Sequence, residues 1–277
     1  MDLQIFSTIK KMRFKNTYIM FAILYGISTL IVPLAVQFLV NNLILTGLWQ
    51  SMVTFTIIIA MSLTLAQIFR HSLTIISESI ERDLFDQFAD QIDFSKAENK
   101  IYITELFHSL KSFTKLFSDA IEILLATIFG MMTIFLFHPG FIILPFICFF
   151  ALRLIWQKNR DAIKTSISES NEKYEFINLS GELSDEKKIY YLTSRNDHFS
   201  YVKRNSLIVS GLFILTQILL IGIGTYFVQT NSLSIGQLVS AEIIISGIFA
   251  SLLKVPKSME AFYDYETSMY KFKKVMK

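Results

Sequence analysis

A single cysteine in 277 residues, Cys148, excludes a disulfide framework within the chain. Four prolines and ten glycines are too few for a loop-rich or disordered protein. Charge is also scarce: 18% of residues are Asp, Glu, Lys or Arg, against roughly 25% in a soluble globular protein. The four histidines, His71, His108, His138 and His198, are scattered, and with one cysteine no zinc-ligand spacing exists. Neither a G-x-S-x-G elbow nor an H-E-x-x-H motif occurs. No Gly-Lys dipeptide occurs either, so the chain has no P-loop with which to cradle phosphates. A net charge of +3 gives no nucleic-acid footprint. What remains is apolar, 52% hydrophobic with 26 phenylalanines. The expected class is an all-α integral membrane protein without catalytic machinery of its own.

A helix crossing the hydrocarbon core needs about 20 mostly apolar residues. Residues 18–40, 51–69 and 206–228 are uncharged runs of that kind, the first interrupted by Pro33, whose freed carbonyl a neighbouring helix can satisfy. Residues 120–137, 141–155 and 238–253 are weaker candidates, carrying Glu122, Arg153 and Glu242 respectively. An alternative makes 120–155 a re-entrant hairpin about His138, Pro139 and Gly140, but both arms approach spanning length. The first apolar run exceeds the usual signal-peptide core and has no A-x-A-like exit, so it is expected to be a retained span.

Basic residues set the topology. Four precede the first span, six lie in 70–118, nine in 157–205, and six follow residue 253, with Arg153 the one other. The connections 41–50, 138–140 and 229–237 hold no lysine, arginine, aspartate or glutamate. Six spans with both termini cytoplasmic fit this pattern, and a bacterial inner membrane is the expected location.

The segments 70–118 and 157–205 are 49 residues each, contain no proline, and have Gly181 as their one glycine. In the first, Ile80, Leu84 and Phe88 recur every four residues, and Ile103, Leu106, Phe107, Leu110, Phe113 and Phe117 resume the stripe beyond a polar patch at 93–100. A helix running away from the membrane, a polar elbow and a returning helix are predicted. With about 24 residues per arm the elbow would stand roughly 35 Å from the last embedded turn. In the second segment the elbow is expected near 168–176. Val255, Met259, Phe262, Met269, Phe272 and Met276 extend the theme into a tail helix.

Six spans with long helical excursions after the second and fourth, together with Asn231-Ser-Leu-Ser-Ile-Gly-Gln-Leu-Val239, Phe137-His-Pro-Gly-Phe141 and the tail 258–276, resemble the transmembrane domain of ABC exporters. The resemblance covers nearly the whole chain as one domain, 1–277, with no nucleotide-binding domain. Two stretches depart from the family pattern, Lys100-Ile-Tyr-Ile-Thr-Glu-Leu-Phe-His-Ser-Leu110 and Leu183-Ser-Asp-Glu-Lys-Lys-Ile189. Leu179-Ser-Gly-Glu182 matches part of the ABC signature, but without a P-loop beside it the match is coincidental. The resemblance implies an exporter membrane subunit forming half of a translocation path, dimerising with itself or a related chain in the lipid bilayer. ATP would be bound by a separate ABC ATPase subunit, leaving no cofactor in this chain.

On that basis Asp93, Ser95, Lys96 and Glu98 in the first elbow, and Glu169, Asn171, Glu172 and Lys173 in the second, are the candidate ATPase-coupling residues. Their alternative is a solvated polar surface. Glu242 is the candidate for the translocation path, since a carboxylate within a span tends to face a cavity or hold a cation; its alternative is simple hydration one turn inside the interface. Asp119, Glu122 and Arg153 are expected to make a structural ion pair. Two further functions stay open, a non-transporting scaffold or regulator that retains the exporter fold, and an ion-coupled carrier using Glu242.

Overall fold

The computed structural model describes residues 8–10, 12–43, 49–89, 99–157, 159–178 and 185–275. The described residues contain no strand. The principal elements are α1 (Lys15–Phe38), extended by a π-helical turn at Leu39–Leu43, then α2 (Trp49–Ala89) and α3 (Asn99–Phe137). A 3₁₀ turn at Pro139–Ile142 leads into α4 (Ile143–Trp156), followed by α5 (Asn159–Asn178), α6 (Asp185–Gln229), α7 (Ile235–Leu252) and α8 (Val255–Val275).

Five helices are long and apolar enough to cross a membrane: Lys15–Asn41, Met52–Ala89, Phe107–Phe137, Lys187–Gln229 and Ile235–Tyr270. The expected span at 141–155 is helical but short. Its α-helix, α4, has 14 residues, about 21 Å at 1.5 Å per residue, which alone falls short of a hydrocarbon core about 30 Å thick. Pro139 and Gly140 delay its start, because the chain first makes a 3₁₀ turn capped by His138, whose Nδ1 accepts from the Gly140 amide at 3.0 Å.

The second elbow is not where polarity placed it. Residues 168–176 lie inside α5, which runs unbroken to Asn178. Glutamate and lysine are good helix formers, and the stretch has no glycine or proline to stop it. Residues 179–184 lie outside the described residues, as do residues 93–98 of the first expected elbow.

The chain divides into two compact units. Unit 1 comprises Met1–Ile80, Ala120–Phe150 and Val209–Leu253. Helices approach closely here through small residues, as expected where apolar packing rather than water exclusion drives association. A Cβ on Gly26 would come within 2.9 Å of the Phe129 ring, and one on Gly130 within 2.6 Å of Ile248. Hydroxyls bond across helices: Ser62 Oγ donates to the Ser28 carbonyl at 2.8 Å, and Ser240 Oγ to the Pro33 carbonyl at 2.6 Å.

The turn from α6 to α7 is built from its own sequence. Asn231 takes φ 55°, a left-handed conformation that asparagine tolerates better than branched residues. Ser234 then caps α7 reciprocally with Gln237, its Oγ accepting from Gln237 N at 3.1 Å while Gln237 Oε1 accepts from Ser234 N at 2.8 Å. Asn41, in the π-helical turn, clasps the same terminus: its Nδ2 donates to Ser234 Oγ at 2.9 Å and its Oδ1 accepts from Gly236 N at 2.9 Å.

Unit 2 comprises Glu81–Asp119, Ala151–Ile208 and Lys254–Lys277. The apolar stripes predicted from the sequence supply much of its core: Leu84, Phe88, Leu110, Phe113, Phe262 and Met269 are buried. Phe107 is largely exposed at its edge yet stacks on Phe85 with centroids 4.2 Å apart. Phe113 packs on buried Tyr265 at 4.9 Å, and Trp156 lies against Phe262 at 6.2 Å. Asp119 accepts a hydrogen bond from Ser258 Oγ at 2.8 Å.

Candidate functional site

Of the eight candidate coupling residues, Asp93, Ser95, Lys96 and Glu98 lie outside the described residues. The other four sit on α5. Asn171 and Lys173 are exposed and Glu172 is half-buried. Glu169 differs from them: it is turned into unit 2 and buried.

Glu169 is the centre of a polar cluster joining α5, α6 and α8. Its Oε2 bonds to His198 Nδ1 at 2.5 Å, and its Oε1 pairs with Arg195 Nη1 at 3.0 Å. Arg195 also reaches Glu260 of α8, Nη2 to Oε1 at 3.4 Å. Arg195 and His198 are three apart on α6 and so share a helix face. The His198 side chain is 1% exposed, that of Glu169 12%, and that of Arg195 43%. The Tyr263 ring closes over His198 edge-on at 5.8 Å.

The electrostatics follow from this geometry. Burial alone would raise the Glu169 carboxyl, but the His198 hydrogen bond and the Arg195 charge outweigh it and hold Glu169 below the ordinary carboxylate range. The arrangement fixes three helices in one register. His198 Nε2 is buried with no hydrogen-bond partner among the described residues.

A second polar arrangement lies in unit 1 and contains Glu242. Gln217 Nε2 on α6 donates to Ser246 Oγ on α7 at 2.9 Å, and Ser246 Oγ donates to Glu242 Oε1 at 3.0 Å. Glu242 is exposed on the helix surface. It is the one acidic or basic residue of α7, seven residues in and thus about 10 Å along the helix. Gln217 is twelve residues from the end of α6, about 18 Å along it.

The sequence pointed to Glu169 and Glu242 singly and missed what each is joined to. Arg195 and His198 reach Glu169 from 26 and 29 residues away, and Arg195 reaches Glu260 from 65, separations that no local pattern encodes. Gln217 and Ser246 were legible only as polar residues within apolar runs.

No protein-family model and no curated protein matches this chain. The fold and the apolar helices define a multi-pass helical membrane protein.

Proposed function

We propose that the chain is the membrane subunit of an ABC-type exporter, forming half of a translocation path driven by ATP hydrolysis outside these 277 residues. Helix length carries this reading. α2, α3 and α6 have 41, 39 and 45 residues, each about 60 Å or more at 1.5 Å per residue, roughly twice the hydrocarbon core. The excess has its own buried core and its own ion-pair cluster, as a lever must if it is to transmit force without melting. The basic residues concentrate outside the apolar runs, which favours cytoplasmic termini and a cytoplasmic unit 2. The 3₁₀ turn and α4 together extend about 29 Å, enough for the sixth span the exporter pattern needs.

In this reading the path is completed by a second copy or a related chain in a bacterial inner membrane. A separate ABC ATPase engages the elbow containing Asp93, Ser95, Lys96 and Glu98, and the exposed face of α5 at Asn171, Glu172 and Lys173. Glu169 holds the α5 lever in place rather than touching the motor. Rigid-body movement of the levers then alternates access.

The test is nucleotide-dependent accessibility. In a Cys148→Ala background, Gln229→Cys at the exposed end of α6 is labelled with maleimide in proteoliposomes that contain an ATPase-only protein from the native membrane. Labelling is expected to change on ATP addition and to lose that response when Asn171 and Lys173 are both replaced by alanine. Labelling indifferent to ATP with every such ATPase refutes the proposal.

A further inference from the structure

We propose that Glu242, Ser246 and Gln217 recognise an organic cation, a ligand with an ammonium or guanidinium head on an apolar body. The inference rests on the exporter reading and names the substrate class for it. It begins with the direction of the hydrogen bonds. Gln217 Nε2 gives a proton to Ser246, and Ser246 gives its only proton to Glu242 Oε1. The relay is spent inward, and what it presents at the exposed end is the carboxylate, an acceptor with negative charge. Its complement is a donor that carries positive charge.

Neither helix supplies that complement. Glu242 is the sole acidic or basic residue in α7, and residues 206–229 of α6 contain no acid or base. Glu242 lies seven residues from the start of α7 and Ser246 six from its end.

The rest of the ligand is specified by the flanks. On α6, Ile214 and Ile221 are exposed and fall three and four residues from Gln217, on its face. On α7, Val239 is exposed three residues before Glu242. A cationic head at Glu242 therefore lies beside aliphatic surface. An anion or a neutral sugar would match neither part. A charge-assisted bond from an N–H donor to the oriented carboxylate supplies selectivity, and the Ser246 bond fixes which oxygen stays free.

The experiment needs no ATPase. The full chain in nanodiscs of zwitterionic lipid is titrated with dansylcadaverine, a primary ammonium on an aromatic body, and with its neutral N-acetyl derivative. The wild type is expected to bind the amine about tenfold more tightly than the acetylated form. Glu242→Gln should erase that preference, and Glu242→Asp should keep most of it, with thermal melts unchanged. Should Glu242→Gln fail to fold, Ser246→Ala must reduce the preference, since it frees the carboxylate to turn. A wild type without the preference, or a preference that survives Glu242→Gln or Ser246→Ala, overturns the inference. Cation binding without any ATP response would instead sink the exporter reading and leave the site standing.

Discussion

The Glu169 cluster makes a ranked energetic prediction. Both contacts of Glu169 are short, but their surroundings differ: the His198 side chain is 1% exposed and that of Arg195 43%. Water screens the second pair, and exposed ion pairs contribute about 0.2–1 kcal/mol. The first pair is nearly dry, and a hydrogen bond to a charged group is worth about 1.5–3 kcal/mol. Glu169→Gln keeps the shape but removes the charge and turns one acceptor into a donor, so it should destabilise unit 2 by about 2–3 kcal/mol. Double-mutant cycles should then separate the partners. With His198→Leu the coupling to Glu169 is expected near 2 kcal/mol, and with Arg195→Met below about 1 kcal/mol. The assay is unfolding in mixed micelles, followed by the fluorescence of Trp156, which lies against Phe262 at 6.2 Å within unit 2. Replacing Trp49 by phenylalanine leaves Trp156 the only tryptophan of the chain. Equal couplings, or a larger one for Arg195, would show that burial does not govern this cluster.

The same carboxylate sets an acid dependence. Because the folded protein holds Glu169 below its ordinary value of 4.5, its contribution is complete above that pH and is lost as pH falls through the folded value. Wild-type unit 2 should therefore weaken more steeply than Glu169→Gln in acid titration of Trp156 fluorescence, and parallel curves would contradict this. Gly236→Ala should destabilise by about 1–3 kcal/mol, since its Cβ would come within 2.6 Å of the Gln37 carbonyl and 2.4 Å of Asn41 Oδ1. Gly247→Ala, where nothing stands within 4 Å, should be neutral or stabilising by up to about 1 kcal/mol. Thermal melts in detergent decide between them. Ser240→Ala removes the 2.6 Å bond to the Pro33 carbonyl and should cost about 0.6 kcal/mol and no more than about 1.7, measured by SDS titration; a larger loss would mean that the bond also sets helix position.

Periodicity and charge made the long elements legible. The uncharged run at 18–40 became α1 with its π-helical turn, and the predicted stripe Leu84, Phe88, Leu110 and Phe113 became buried core. The uncharged turn at 229–237 ends where Ser234 and Gln237 form a capping box, a local device that sequence states directly. What failed depended on competition between local signals. Polarity at 168–176 resembles a turn, but helix propensity prevailed there. The candidate sites were half legible for a different reason. A lone glutamate in an apolar run is conspicuous, whereas Ser246 and Gln217 acquire meaning only when two helices are laid side by side. Glu169 was noticed as one charge of a polar stretch, and burial, which separates it from Asn171 and Lys173, is a property of three dimensions.

Asn41 grips the start of α7 with both atoms of its amide, one on the cap hydroxyl and one on the backbone of Gly236. A two-pronged hold of this kind forbids sliding: moving α7 by one residue along α1 would unfasten both prongs together and drive a bulkier side chain into the space that Gly236 leaves. The first and last apolar helices are thus yoked at that end.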